Sequence, residues 1–236
     1  MSFLGFIQLF IAKSVKDTAN QFGYNTILCN GDENPEKEFN YLKVLKSNRV
    51  DGIILTPTGT GKNAEYIRNL IKTGTKVVLL DRLVEGVNCD VGLVDNATGA
   101  HKAVKYLIDQ GYRKIGIVSG YIDRTTGAER LRGYMQAIEE ANIKKDDSLI
   151  KIDNFKKESG KKLTKELLKQ PNKPEAIFTT NIDISMGALI AIKEMGLIIP
   201  KDIAIVCFDD SDWASIIRTV HNRNKTTGVS TGFHRS

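Results

Sequence analysis

Short apolar runs alternate along the chain with longer segments whose apolar residues recur at helical spacing. The short runs are typical of strands buried in a sheet, and the longer segments are typical of helices with one apolar face. Regular alternation of the two predicts βαβ units and a parallel sheet. The predicted strands are Thr26–Cys29, Gly52–Leu55, Lys76–Leu80, Val91–Val94, Lys114–Val118, Leu149–Ile152, Ala176–Thr179 and Ile203–Phe208.

The segments between these strands predict helices with recognisable ends. Pro35 suits a first helical turn, Asn96 suits a helix N-cap, and Gly111 suits the left-handed position that stops a helix. The predicted helices are Ile11–Phe22, Glu36–Leu45, Asn63–Ile71, Ala97–Gln110, Ala128–Ala141, Glu158–Leu168 and Ser185–Met195. The fold class predicted is therefore α/β, with two similar lobes that each contain a parallel sheet flanked by helices.

The division into lobes follows from a short strand and the pair Asp95-Asn96, which fall midway without a linker rich in proline or glycine. We expect a crossover there rather than a flexible tether. The predicted domains are an N-terminal lobe at residues 1–94, a C-terminal lobe at 95–217 and a tail at 218–236. Because the tail lacks any amphipathic period, we expect it to be disordered.

Polar residues follow three of the apolar strands directly. Asp81 and Arg82 follow one strand, Asn181 follows another, and Asp209 and Asp210 follow the last. Ligands of open parallel sheets collect at the carboxyl ends of the strands. An arginine supplies a planar fork of donors and a carboxylate supplies acceptors, a set that suits vicinal hydroxyl groups. The pattern predicts capture of a small polyhydroxy ligand without chemistry on it.

Composition narrows the class of protein. The 236 residues are 41% apolar and 26% charged, which is typical of a globular chain with a substantial core. Basic residues of the tail contribute much of the net charge of +6, and the other lysines are interleaved with acidic residues. The charge of the chain therefore does not argue for contact with DNA by its basic residues. The apolar opening Met1–Ala12 is too short to span a membrane and has no basic residue before it, so we expect a cytoplasmic protein with no membrane partner.

Enzymatic chemistry finds little support in the sequence. The segment Thr58–Asn63 resembles a phosphate-binding loop, but the positions where a Walker A motif needs glycine and Ser or Thr hold Thr56 and Asn63. The three histidines have no partner pattern, and the three widely spaced cysteines form neither a metal motif nor a disulfide framework. We predict a protein that is not an enzyme and needs no cofactor or metal.

The ordered motifs resemble the effector-binding core of LacI/GalR-type transcription regulators, whose two-lobed fold is shared with periplasmic sugar-binding proteins. The resemblance extends in order from Ile11 to Ile217. The segments that carry it are Tyr24–Asn30, Val50–Leu55, Val78–Arg82, Val94–Asn96, Gly111–Ile117, Arg130–Tyr134, Pro200–Val206 and Phe208–Asp210. The Asp-Asn pair followed by Gly-Tyr-Arg-Lys-Ile favours the transcription regulators over the periplasmic sugar-binding proteins.

The resemblance implies a ligand-binding set drawn from both lobes. The family places a polar side chain at Thr56, a hydroxyl-binding pair at Asp81 and Arg82, and a sugar-gripping arginine at Arg130. It also places an aromatic ring at Phe155, which stacks on a sugar. Asn181 and Asp209 match the amide and the carboxylate of the second lobe. Structural alternatives stay open: a local ion pair for Asp81 and Arg82, core packing for Phe155, and a turn for Asn181.

Departures from the family pattern concern both ends of the chain. We expect that the family's first strand has no counterpart, that no helix-turn-helix precedes Met1, and that the residues from about Arg218 depart from the family pattern. We hypothesise that these last residues are translated out of frame. The resemblance implies a sugar or sugar-derivative effector, a homodimer in the intact family, and operator DNA bound only through a headpiece. The alternative hypothesis is a free-standing sugar-binding or transport receptor.

Overall fold

The computed structural model describes residues 6–209, and their side chains from Ile11 onward. The helices are α1 (Phe6–Gln21), α2 (Pro35–Ser47), α3 (Ala64–Lys72), α4 (Asn96–Asp109), α5 (Thr125–Glu140), α6 (Lys157–Lys169) and α7 (Ile182–Glu194). The strands are β1 (Gly52–Leu55), β2 (Lys76–Leu80), β3 (Asp90–Gly92), β4 (Ile115–Ser119), β5 (Ile150–Ile152), β6 (Ala176–Thr179) and β7 (Ala204–Cys207). Parallel sheets flanked by helices confirm the predicted α/β fold class.

The described residues divide into two compact units, one up to Gly92 and one from Leu93. The first unit contains a three-stranded parallel sheet in the order β1-β2-β3. Leu55 of β1 lies beside Leu79 of β2, so these two strands end at the same edge. Their apolar side chains pack with Leu42 of α2 and with α3.

The second unit contains a four-stranded parallel sheet in the order β5-β4-β6-β7. Its central strands β4 and β6 are buried along their whole length because helices cover both faces. Ile117 and Phe178 point to a core formed with α4 and α5, whereas Val118 and Ile177 point to a core formed with α6 and α7. This arrangement explains why the two strands are apolar at nearly every position.

Glycines let the helices of the second unit approach each other closely. A methyl group at Gly187 of α7 would collide with the carbonyl oxygen of Lys157 in α6, and one at Gly133 of α5 would collide with the carbonyl oxygen of Ala97 in α4. Because backbone atoms stand in the way, a larger residue would force the helices apart. Close helix pairs therefore form both layers that cover the sheet.

One predicted strand is wrong. Thr26–Cys29 has no regular secondary structure and pairs with no described strand, and Ile27 and Leu28 are 62% and 67% exposed. A β-strand is stabilised by the ladder of hydrogen bonds to a neighbour, so apolar composition alone does not produce one. The apolar composition of a segment does not reveal whether a neighbouring strand is available to pair with it.

A second correction concerns the start of α4. Asp95, not Asn96, caps this helix, because the Asp95 carboxylate accepts a hydrogen bond from the backbone N–H of Thr98 at 3.0 Å. The Asn96 side chain instead accepts a hydrogen bond from Arg130. The tail predicted at 218–236 lies outside the described residues. Within those residues, no helix is both long and apolar enough to cross a membrane.

We predict that Gly187→Ala lowers the free energy of unfolding by about 1–3 kcal/mol, the usual cost of overpacking a tight contact. Chemical denaturation followed by circular dichroism measures the change. Gly31→Ala is the matched control, since an added methyl group there meets only ordinary contacts at 3.9 Å, and we expect a change within about 0.5 kcal/mol. Equal stabilities of the two variants would contradict the backbone contact between α6 and α7.

Candidate functional site

The first unit brings three predicted ligand-binding residues to one edge of its sheet. Thr56 follows β1 and is exposed, and Asp81 and Arg82 follow the neighbouring strand β2. Asp81 adopts a left-handed φ of 69°, which aspartate tolerates better than most residues. The sharp turn after β2 lets the backbone N–H of Asp81 donate to the carbonyl of Gly92 at 2.8 Å, which holds the turn against β3.

Arg82 is buried and is held by partners from distant parts of the chain. Its Nη1 donates to Glu33 Oε2 at 2.8 Å and to the Pro57 carbonyl at 3.3 Å, whereas its Nε lies 3.7 Å from Asp81 Oδ2. Burial acts to lower the pKa of Arg82. The hydrogen bond and charge of Glu33, together with the charges of Asp81 and Glu38, raise this pKa above its usual value. The Arg82 guanidinium thus lies closer to Glu33 than to Asp81, and the sequence did not indicate Glu33 as a partner.

A buried carboxylate fixes the loop that contains Thr56. Glu38 of α2 accepts a hydrogen bond from the backbone N–H of Thr58 and another from Asn63 Nδ2, each at 2.6 Å. Asn63 Nδ2 also donates to the Pro35 carbonyl at 2.9 Å. The segment Thr58–Asn63, which resembles a phosphate loop in sequence, is therefore pinned to α2 by a negative charge that would repel a phosphate.

Arg130 occupies the corresponding edge of the sheet in the second unit. It lies on α5, is 7% exposed, and donates from Nε to Asn96 Oδ1 at 2.7 Å. Its Nη1 donates to the carbonyl of Thr180, directly after β6. The guanidinium also lies 3.8 Å from the ring centroid of Phe208, directly after β7. The side chain therefore lies where β6 and β7 end.

The other predicted residues of this unit lie around the same edge. The ring of Phe155 packs against Gly120, and a side chain at position 120 would occupy the place of the ring. Asn181 donates from Nδ2 to the Phe155 carbonyl at 3.1 Å and accepts at Oδ1 from the Ile184 N–H at 2.9 Å. Asp209 accepts at Oδ2 from the Ile182 N–H at 3.3 Å. Asn181 is thus a helix cap for α7, so the turn hypothesis describes part of its role.

Two further polar side chains at this end of α5 were missed by the sequence analysis. Arg124 and Thr126 are buried, yet Arg124 Nε and Thr126 Oγ1 have no hydrogen-bond partner among the described residues. Buried polar atoms normally have partners, and each exception needs an explanation. The predicted helix began at Ala128 and so did not include these residues, whereas α5 begins at Thr125. The signal available was the Arg-Thr-Thr run four residues before Arg130.

The predicted residues offer guanidinium donors, carboxylate and amide acceptors, a hydroxyl and aromatic rings. No group of three or more His, Cys, Asp or Glu within residues 6–209 could hold a metal ion. Burial raises the pKa of the Cys207 thiol to about 11, and Ser185 Oγ donates to its sulfur, so this cysteine does not supply a thiolate nucleophile.

Comparison with known families agrees with the observed fold. The family model described as periplasmic binding proteins and sugar binding domain of LacI family matches residues 7–213. The chain belongs to this family. Its α/β fold, with parallel sheets flanked by helices, is that of the family's effector-binding domain, as the sequence motifs predicted.

Individual relatives are transcriptional regulators and not enzymes. The chain is 36% identical over 205 residues to the HTH-type transcriptional repressor PurR of Escherichia coli, an alignment that covers 85% of this chain and 59% of PurR. The chain thus spans about three fifths of the length of the curated relatives it matches. A crystal structure of transcription regulator CcpA of Lactococcus lactis is similar with a TM-score of 0.76 and 30% identity, covering 84% of this chain and 71% of CcpA.

A structure of a sugar-binding transcriptional regulator of the LacI family from Escherichia coli is also similar. It has a TM-score of 0.71 and 25% identity, and the match covers 89% of this chain and 75% of that one. The similarities to solved regulators thus extend over both units of the chain.

We predict that Glu38→Gln lowers the free energy of unfolding by about 1–3 kcal/mol, because the two hydrogen bonds to a buried charge are weakened. The matched control is Glu36→Gln, which removes an exposed carboxylate from the same helix. Urea denaturation of the two variants measures the difference. A Glu38→Gln variant as stable as the control would contradict the role of Glu38 in holding the loop.

Proposed function

We propose that this chain senses a sugar or sugar derivative as the effector-binding part of a LacI-type regulator. The proposed ligand-binding residues are Thr56, Asp81 and Arg82 in the first unit, and Arg130, Phe155, Asn181 and Asp209 in the second. Arg124 and Thr126 join the second group on structural grounds. Each unit contributes its residues from the carboxyl edge of its own sheet, where ligands of such folds bind.

The observation that carries the proposal is the pair of buried polar atoms at the start of α5 for which residues 6–209 supply no hydrogen-bond partner. Leaving a buried donor or hydroxyl unsatisfied costs about 1–3 kcal/mol. Arg124 and Thr126 incur this cost close in the chain to Arg130, whose guanidinium is fixed among three other elements. A ligand that accepts from Arg124 and exchanges a hydrogen bond with Thr126 would recover the cost.

A sugar fits the groups offered. Its hydroxyls both donate and accept, so they can bond to guanidinium groups, carboxylates and an amide at once. The apolar face of a sugar ring can stack on an aromatic side chain such as Phe155. The family description names a sugar-binding domain, and the regulator from Escherichia coli is described as sugar-binding, which supports the same class of ligand.

We extend the proposal from this domain to the whole regulator. We infer operator DNA bound through a headpiece, a homodimer and a cytoplasmic location, as the family resemblance implies. Effector binding would then shift the dimer between states that differ in DNA affinity. PurR and CcpA are regulators, which favours this role over a free-standing transport receptor.

The test begins with a panel of pentoses, hexoses and sugar acids, screened by thermal shift and quantified by calorimetry. Purine bases belong in the panel because flat heterocycles also stack on aromatic rings. We expect at least one sugar or sugar acid to bind saturably and to raise the melting temperature. Binding of a purine base with no sugar binding would overturn the sugar assignment.

The decisive variant is Thr126→Val, which keeps the shape of the side chain and removes the hydroxyl. We expect affinity for the identified sugar to fall about ten-fold, which corresponds to the loss of one hydrogen bond of about 1.4 kcal/mol. The free energy of unfolding should stay the same or rise by about 1 kcal/mol, because a buried hydroxyl without a partner is removed. Arg130→Ala is less informative, since Arg130 also holds Asn96 and Thr180 in place.

Thr164→Val is the matched control. Thr164 lies on α6, is equally buried, and its Oγ1 also has no hydrogen-bond partner among the described residues. We expect the same gain in stability and no change in sugar affinity. Unchanged affinity in Thr126→Val, or an equal loss in both variants, would contradict a ligand contact at Thr126.

A further inference from the structure

A cavity of about 520 Å³ opens at the end of the second unit's sheet that lies opposite the proposed effector site. Arg113 and Lys114, which precede β4, line it, as does Asn172, which precedes β6. These positions mark the amino ends of the strands, whereas the proposed effector-binding residues lie at the carboxyl ends. The volume falls within the range of small-molecule sites, about 300–1,000 Å³. The cavity is therefore a second place where a small ligand could bind.

The floor of the cavity is apolar. Ile115, Tyr134, Ile138 and Leu149 line it, and all of them are buried members of the two cores. The hydroxyl of Tyr134 donates to the Ile115 carbonyl at 2.8 Å, so its polar atom is already satisfied. The floor therefore offers a ligand the small accessible parts of an aromatic and several aliphatic side chains, which favour an apolar body.

The acidic groups at the rim of the cavity are already occupied. The carboxylate of Asp147 pairs with Lys145 at 2.7 Å. The carboxylate of Asp146 accepts from Asn172 Nδ2 and from the Ser148 N–H, both at 2.9 Å. Glu175 lies outside the lining and accepts from two backbone N–H groups, those of Arg113 and Lys114.

The basic groups of the rim are in excess. Four cationic side chains and two carboxylates line the cavity. Arg113 donates to the uncharged carbonyls of Ile108 and Tyr112, and Lys114 donates to the amide oxygen of Asn172. Lys144 makes no hydrogen bond or ion pair with the described part of the chain. Arg113 and Lys114 also interact electrostatically with Glu175, and Lys145 pairs with Asp147, so the charge least offset by a carboxylate is that of Lys144. Such positive charge attracts anions.

We propose that this cavity binds a small organic anion, with an aromatic or branched aliphatic body on the apolar floor and its anionic group near Lys144 and Lys145. The ligand class follows from the combination of the two surfaces: the floor disfavours a fully polar ion, and the rim disfavours a cation. The inference concerns a site separate from the proposed effector site and does not depend on it.

Naphthalene-2-sulfonate is a suitable probe, because it joins a flat apolar body to one permanent negative charge. The experiment titrates it into the full chain with ¹³C-labelled isoleucine methyl groups, assigned by Ile→Val substitutions, and follows the methyl resonances by NMR. We expect saturable shifts at Ile138 and Ile143, which line the cavity. The absence of saturable shifts at these two residues would overturn the proposal.

Charge variants test the role of the rim. We expect Lys144→Glu combined with Lys145→Glu to weaken probe binding at least ten-fold, and Asp147→Asn to strengthen it. These residues are exposed, so the fold should tolerate the changes. Lys102→Glu, an exposed position on α4 outside the cavity, is the matched control and should leave the affinity unchanged. A uniform loss in all charge-reversed variants would overturn a local role for Lys144 and Lys145.

A neutral analogue separates charge from apolar contact. 2-Naphthol has the same ring system without the permanent charge, and we expect it to bind at least five-fold more weakly than the sulfonate. Equal affinities would overturn the assignment of an anion site.

Discussion

The buried guanidinium of Arg130 is the interaction on which the second unit's polar edge depends. Removing a charge from water is costly unless hydrogen bonds and other electrostatic contacts replace the lost hydration. Here the replacement comes from three elements: Asn96 at the start of α4, the Thr180 carbonyl after β6 and the ring of Phe208 after β7. A single side chain therefore sets the positions of a helix start and of two strand ends.

In the first unit, hydrogen-bonded buried charges of both signs likewise fix the loops at the strand ends. Glu38 holds the loop after β1, and Arg82, after β2, binds Glu33 and the Pro57 carbonyl of that loop. Loops at strand ends are usually the most variable part of an α/β fold. Buried, hydrogen-bonded charges restrict them here at positions where a ligand needs groups with fixed geometry.

The sequence predicted the parallel sheets well because fully buried strands and amphipathic helices leave local patterns. It failed where structure depends on distant partners. Thr26–Cys29 has the composition of a strand, but no described neighbour pairs with it. Glu33 and Glu38 were missed because their partners lie 49 and 20 residues away along the chain, beyond any local motif. Arg124 Nε and Thr126 Oγ1 stand out only because they are buried without a hydrogen-bond partner among the described residues, a property that composition does not reveal. The family resemblance supplied the remaining proposed ligand-binding positions.

The contact between Gly120 and Phe155 has a consequence for how ligand preference could evolve. The ring occupies space that any side chain at position 120 would fill, so the missing side chain of Gly120 helps to set the position of the ring. If the ring stacks on the effector as proposed, a substitution at position 120 would tilt this surface while the charged residues stay where they are. Relatives could then diverge in the shape of the molecule they recognise by exchanging one small residue, with the hydrogen-bonding framework inherited intact.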